Sequence, residues 1–345
     1  MNDERYKTLG RYLGWGVLAL LIGVAVPATL VGAGKFVSIV LEDSMQVAAV
    51  SSSKSKKKVD PYPYVPETAS GDSRLLTQRV LKTIHEGLPR KATLSVQGDA
   101  FAVIDLQSGE VIVEKNPTKV LSIASLTKMV TALVALDVYK PDQVLKVPEY
   151  ATKVTGTVGG LKTGEKVRVV DLLHALLMQS GNDAAETLAA GIGRSTFVTK
   201  MNEKVRFLGA DATTFVDPTG LSALNVSTAN DLFKIAQHTF NDHREIINIT
   251  KTKMYRTKGH TWVNPTKFLA LDNYLGGKTG YTSEAGRTAV SIFEIEPSPL
   301  HRRTLAIVLL KSEAREKDVL AILEYLKKDS RLLSRVGGNL GSTSF

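Results

Sequence analysis

The sequence predicts a mixed α/β or α+β body carried behind one apolar helix, and three observations lead there. Strand-like composition marks both ends of the globular region, in residues 101–114 and again in 286–296 and 303–311, so one sheet must be assembled from distant segments. Between those ends, from Ser125 to about Phe240, the pattern is mainly helical. Ahead of both, from Tyr12 to Gly34, runs YLGWGVLALLIGVAVPATLVGAG, 23 residues without a charge.

As a helix, residues 12–34 would be about 34 Å long, enough to cross a hydrocarbon core of about 30 Å. Arg5, Lys7 and Arg11 precede the run and only Lys35 follows closely, so residues 1–11 are expected on the cytoplasmic side. Lys54, Lys56, Lys57 and Lys58 lie at the edge of that rule's reach. A cleaved signal peptide ending near Val31-Gly32-Ala33 is the competing reading. The run is longer than the usual signal core of about 7–15 residues, which favours a retained anchor. Either way the body is exported.

Residues 35–72 hold SSSKSKKK and the proline-rich DPYPYVPE, and read as a linker. The lysine run fits a solvated tether better than a lipid-binding patch. The body spans 73–330. It opens with an amphipathic helix over 73–88, followed by a hairpin in FAVIDLQSGEVIVE, two β-branched runs about a Gly-containing turn. A helix over 314–328 closes it, residues 331–345 form a disordered tail, and no second C-terminal domain is expected.

Composition narrows the chemistry. With 43% hydrophobic and 23% charged residues, the chain can bury a core. No cysteine is present, which excludes a thiol nucleophile, a disulfide scaffold and thiolate metal sites. The six histidines form no H-E-x-x-H, and no metal or other cofactor is expected. The net charge is +10, and residues 61–345 carry +7 of it. No helix bears a dense basic stripe, so nucleic acid is not the expected partner; a carboxylate-bearing polymer is.

Three segments carry candidate chemistry. In Ser125-Leu126-Thr127-Lys128, at a helix start, positions i and i+3 share a face, so hydroxyl and amine can meet. The plain alternative is Ser125 as a helix N-cap. Lys128 fits that poorly, because a lysine in the first turn sits at the positive end of the helix dipole. Such an amine can be neutral near pH 7 and accept a serine proton. The spacing alone is not specific, since it recurs at Ser51, Ser53 and Ser55.

The second segment, Ser180-Gly181-Asn182, follows the apolar helix DLLHALLMQ. It reads either as a helix–helix turn capped by Asn182 or Asp183, or as a cleft loop presenting a hydroxyl and an amide. The third, Lys278-Thr279-Gly280, precedes strand-like residues. Its lysine and hydroxyl can bind a carboxylate while bare backbone at Gly280 pairs with an extended substrate. A second KTG at 162–164 reads as a turn leading into a helix.

Together and in this order, the three segments form a known mechanistic grouping. The sequence resembles the serine-type D-alanyl-D-alanine carboxypeptidases, the low-molecular-mass penicillin-binding proteins. The resemblance extends to IASLTKMVTALVALD, VVDLLHALLMQSGNDAAETLA, FVDPTGLS with STANDL, and GGKTGYTSEAGRT, and covers roughly residues 95–328. It implies an antiparallel sheet flanked by helices with an inserted all-helical region, the β-lactamase/DD-peptidase fold.

The resemblance makes Ser125 the nucleophile and Lys128 its general base. Ser180 and Asn182 would line the opposite wall, with Ser180 sharing a proton network with Lys278. Lys278 and Thr279 would bind the terminal carboxylate, and Arg315, near the end of the last strand, is a further candidate for that role. The backbone N–H groups of Ser125 and Tyr281 would form the oxyanion hole. The implied substrate is a peptidoglycan stem peptide losing its terminal D-Ala, with β-lactams as covalent inhibitors. Many relatives also carry a C-terminal β-rich domain and a membrane-lying helix; neither is legible here, and the N-terminal span would replace them as anchor.

Three other readings compete. A class A β-lactamase would need an E-x-x-L-N setting, and none of Glu186, Glu203 and Glu245 has it. A DD-endopeptidase uses the same residues on a cross-link. A non-catalytic wall-binding or β-lactam-sensing protein would tolerate degraded motifs, yet all three stand intact.

Overall fold

A computed structural model describes residues 94–298 and 301–328 of the chain. The apolar run 12–34, the linker 35–72, the helix expected over 73–88 and the tail 331–345 lie outside the described residues. Among the described residues, no helix is long and apolar enough to cross a membrane.

Strands β1 (Ala100–Asp105) and β2 (Val111–Lys115) form the hairpin read from the sequence. Its turn is fixed by Asp105, whose carboxylate accepts the Gln107 and Ser108 amides at 2.9 Å each. The chain then leaves the sheet through β3 (Leu121–Ser122) and a 3-10 turn, Ala124–Leu126, into helix α1 (Thr127–Val138). Next come β4 (Val144–Lys146), α2 (Glu149–Thr152), β5 (Lys166–Arg168), α3 (Val169–Met178), α4 (Asn182–Ala190) and α5 (Arg194–Phe207). Strand β6 (Val226–Ser227) and helices α6 (Ala229–Asp242) and α7 (Arg244–Lys251) follow. A small hairpin, β7 (Met254–Arg256) and β8 (Thr261–Val263), precedes the return to the main sheet. That return is β9 (Tyr274–Thr282), β10 (Gly286–Ser298) and β11 (His301–Ser312), and α8 (Arg315–Lys328) closes the fold.

The main sheet is antiparallel with strand order β2-β1-β11-β10-β9. Successive side chains alternate between its faces, and each face has its own core. Ala100, Ala102, Ile104, Val290, Ile292, Ala306 and Val308 pack beneath the helical region; Phe101, Val103, Ala289, Phe293, Leu305 and Ile307 pack with Val319, Ile322 and Leu326 of α8. The central strands are therefore buried on both sides, which is why they read as nearly unbroken apolar runs. The architecture is α+β, with a helical region inserted between two halves of one sheet.

This arrangement leaves β9 as an edge strand. An edge strand keeps one row of backbone groups unpaired within its own sheet. Here it lies alongside the turn that opens α1.

Candidate active site

Ser125 sits in the 3-10 turn just before α1. It is not the helix cap, the plainer role read from its position: the N-cap of α1 is Leu126, and no side chain caps that end. The preceding Ala124 has φ +49°, a left-handed conformation that costs a non-glycine residue roughly 1–2 kcal/mol. Ser125 is half-buried, while Lys128, in the first turn of α1, is fully buried.

Lys128 Nζ has three oxygen neighbours: Ser125 Oγ at 3.0 Å, Asn182 Oδ1 at 2.7 Å and the Thr219 carbonyl at 2.5 Å. A neutral amine has two N–H donors and one lone pair. The two amide-type oxygens can only accept, so they take both donors, and the lone pair is left for the Ser125 hydroxyl. Burial, and after it the charge on Lys278, pushes Lys128 well below the ordinary lysine value, against the opposing pull of Asp217, Asp183 and Glu186. Geometry and electrostatics thus agree on an amine able to take the serine proton.

Both carbonyl partners are held by groups to which sequence reasoning assigned no such role. The Thr219 carbonyl belongs to a loop organised by Asp217. Its Oδ1 accepts the Thr219 amide, the Thr219 hydroxyl and the Gly220 amide at 2.7 Å each, and its Oδ2 accepts the Ser222 amide at 2.9 Å. Burial raises the Asp217 pKa, but these hydrogen bonds outweigh it and hold the carboxyl below its ordinary value. Gly220 must be glycine: φ is +83°, and a Cβ would stand 2.0 Å from the Ala124 carbonyl oxygen. Asn225 ties this loop to α1, donating to Thr127 Oγ1 at 3.1 Å and to the Asp217 carbonyl at 2.9 Å. FVDPTGLS stood out in the sequence as a block, but its contribution runs through a backbone carbonyl.

Asn182 is fixed by the loop between α2 and β5. Its Nδ2 donates to the Thr155 carbonyl and its own amide to the Thr157 carbonyl, both at 2.8 Å. Asp183 does not cap a helix by itself; its carboxylate grips the Gly159 and Leu161 amides at 2.6 and 3.0 Å. Trp262 of β8 braces the same loop through Nε1 to the Gly159 carbonyl at 2.7 Å.

Ser180 stands opposite, with φ +63°, and its Oγ accepts from Lys278 Nζ at 3.0 Å. Lys278 also donates to the Thr279 carbonyl at 2.8 Å. Burial, then the Arg315 charge, brings its pKa down to about 7. Gly280 lets β9 approach the nucleophile turn closely: a Cβ there would lie 2.8 Å from the Ser125 nitrogen and 2.6 Å from Thr288 Oγ1. Tyr281 follows at the exposed rim. Arg315 lies just beyond the end of the last strand, where it opens α8 after β11 stops at Ser312. It reaches back to β9, donating to the Gly280 carbonyl at 3.1 Å, and pairs with Glu316 at 2.7 Å. The structure therefore gathers Ser125, Lys128 and Asn182 in one contact set, joins Ser180 to Lys278 in a second, and lays β9 beside both.

A reachable hydroxyl against a desolvated amine, beside bare strand backbone, is the equipment of a serine acyl-transfer enzyme. The fold and site place the protein among serine DD-peptidases. The chain belongs to the D-alanyl-D-alanine carboxypeptidase family, peptidase family S11, whose sequence profile matches residues 88–307. It is 33% identical over 246 residues to the D-alanyl-D-alanine endopeptidase of Pseudomonas aeruginosa, covering 66% of this chain and 78% of that one. The crystal structure of a D-alanyl-D-alanine carboxypeptidase from Mycobacterium tuberculosis H37Rv superposes with a TM-score of 0.63 at 28% identity, over 68% of this chain and 93% of that one. Penicillin-binding protein D2 of Listeria monocytogenes, solved with ampicillin bound, gives 0.60 at 28% identity, over 69% and 98%.

Proposed function

We propose that this protein hydrolyses D-alanyl-D-alanine stem peptides of peptidoglycan through an acyl-enzyme at Ser125, releasing the terminal D-Ala. The carrying observation is the threefold environment of Lys128 Nζ, which leaves a lone pair for the Ser125 proton. Ser125 Oγ attacks the penultimate D-Ala carbonyl and the amide C–N bond breaks. The serine proton passes through Lys128 to the departing amine. The N–H groups of Ser125 and Tyr281 hold the oxyanion, and Lys278 and Thr279, with Arg315 behind them, bind the terminal carboxylate. Ser180 links Lys278 to the cleft. Water then hydrolyses the ester. A β-lactam enters by the same attack and stays as a slowly released adduct.

A fluorescent penicillin should label the wild-type protein covalently and Ser125→Ala not at all; equal labelling of both would overturn the role of Ser125. The endopeptidase reading is favoured by one observation, the similarity to the Pseudomonas aeruginosa endopeptidase over most of its length. Both reactions use the same acyl-enzyme and differ in the amine expelled. The apolar run 12–34 supports a single-pass anchor with the catalytic domain outside the cytoplasm. In sealed inside-out membrane vesicles, residues 73–330 should be protected from added protease until detergent is present; digestion without detergent would contradict that placement.

A further inference from the structure

Two short hairpins cover the flank of the helical region, and their outward faces carry charge that the fold does not neutralise. In the first, β4 and β5 turn Leu145 and Val167 inward and Val144, Lys146, Lys166 and Arg168 outward. The register sets Lys146 directly opposite Lys166, a like-charge pair that destabilises an antiparallel ladder. In the second, β7 and β8 turn Tyr255 and Trp262 inward and Met254, Arg256, Thr261 and Val263 outward. The hairpins are joined by His260 and Glu165 at 2.6 Å. Asp171 joins them again, accepting from Tyr255 Oη at 2.8 Å and from Arg168 Nη2 at 2.9 Å.

Lys146, Lys166, Arg256, Lys258 and Lys162, the last from the second KTG, are exposed and make no ion pair among the described residues. The carboxylates of the same segments are mostly committed: Asp171 to Arg168 at 2.8 Å, Glu165 to His260, and Glu149 to Lys153 at 2.6 Å. Only Asp142 is exposed and unpaired among them. Three apolar side chains share the outward faces, Val144, Met254 and Val263, each about half exposed. Cations alone would suit a dissolved polyanion. Cations mixed with exposed apolar side chains match the headgroup level of an anionic leaflet, where lysines meet phosphates and apolar groups meet acyl chains. Helix α3 runs from β5 toward Ser180 over 10 residues, about 15 Å, so this face and the cleft lie at opposite ends of one helix.

We infer that this face docks the catalytic body on the surface of an anionic phospholipid membrane. The inference rests on the reading of residues 12–34 as an anchor, which brings the chain to a bilayer, and is independent of the chemistry at Ser125. A tether such as residues 35–72 limits distance but sets no orientation. The docked hairpins supply the orientation, and the cleft stays open at the far end of α3. A lipid phosphate lying between Lys146 and Lys166 relieves the repulsion that the ladder otherwise carries.

The test uses the full-length chain in lipid nanodiscs made of phosphatidylcholine alone or of phosphatidylcholine with phosphatidylglycerol. The chain has no cysteine, so Thr261→Cys on β8 takes a single donor dye, and a labelled lipid serves as acceptor. Energy transfer should be strong in the anionic discs and weak in the neutral ones, and should fall in the anionic discs as salt rises to about 0.5 M. Each lysine at an anionic leaflet strengthens attachment about fivefold, so Lys146→Gln/Lys166→Gln/Lys258→Gln should weaken docking roughly hundredfold and bring transfer to the neutral-disc level. The melting temperature of this variant should not fall, because the repulsion across the ladder is gone. Equal transfer in both lipids, or a triple variant indistinguishable from its parent, overturns the docking face and leaves the anchor reading standing. A chain that enters discs of neither composition overturns both. Weak transfer in anionic discs with tight binding of soluble polyphosphate makes a dissolved polyanion the occupant and overturns the lipid assignment.

Discussion

Replacing Asp217 with asparagine tests whether the Thr219 loop is part of the catalytic apparatus. All four groups facing this carboxylate are donors: the Thr219, Gly220 and Ser222 amides and the Thr219 hydroxyl. An asparagine can offer its oxygen to one side only, so its NH2 must meet the Ser222 N–H or the Oδ1 cluster. Hydrogen bonds to a charged acceptor contribute about 1.5–3 kcal/mol each, so losing the Ser222 bond and the charge costs about 2–3 kcal/mol. For a domain of this size, about 2–4 °C per kcal/mol, the melting temperature should fall by about 5–10 °C. The Thr219 carbonyl would also leave Lys128, and a displacement of about 1 Å near the chemistry costs up to about 100-fold in acylation. The sign with pH is fixed too. Because the folded pKa of Asp217 is lowered, its contribution is present above the unfolded value of about 3.9 and is lost as pH falls through the folded value. Asp217→Asn should lack that acid-side loss. Differential scanning fluorimetry at pH 7.5 and in steps from pH 4 down to about 2, with fluorescent-penicillin labelling rates at pH 7.5, reads all three effects. A melting temperature within about 1 °C of wild type, with unchanged acylation, would refute the reasoning.

Lys128→Met should leave the protein folded, because removing a desolvated amine offsets the two carbonyls it abandons, while acylation falls by about 10²–10⁴ in stopped-flow assays with a chromogenic cephalosporin. Gly280→Val should slow acylation at least about tenfold and lower stability by about 1–3 kcal/mol in urea titrations, since its Cβ would press on the Ser125 nitrogen and Thr288. Lys278 has a folded pKa brought down to about 7, so the unfolded chain binds more protons between there and the ordinary lysine value of about 10.4. Stability measured by urea midpoint should therefore rise from pH 7 to 9.5, and Lys278→Met should flatten the rise.

Much of this was legible because the chemistry depends on side chains at fixed spacing. Ser125 and Lys128 meet because one turn of helix separates them, and Lys278 precedes a glycine on a strand whose β-branched partners in β10 and β11 read clearly. The short strands β4, β5, β7 and β8 were not legible, since three residues cannot display an alternation. The sheet edge occupied by β9 could not be read either, because strand order depends on pairing between segments far apart in sequence. The roles of Asp217, Asp183 and Trp262 could not be read for a different reason. These residues act by holding backbone carbonyls and amides of other loops, and no residue spacing records that.

The central claim is that Lys128 is neutral and takes the Ser125 proton at ordinary pH. The most direct test is the pH dependence of the second-order rate of penicillin acylation, measured from pH 5 to 10 on the wild-type protein. The account predicts an acid limb at a pKa well below the ordinary lysine value of about 10.4, and no further climb above neutrality, where Lys278 gives up its proton. A rate that keeps climbing toward pH 10, with its limb at that ordinary value, would show a protonated Lys128 and contradict the account.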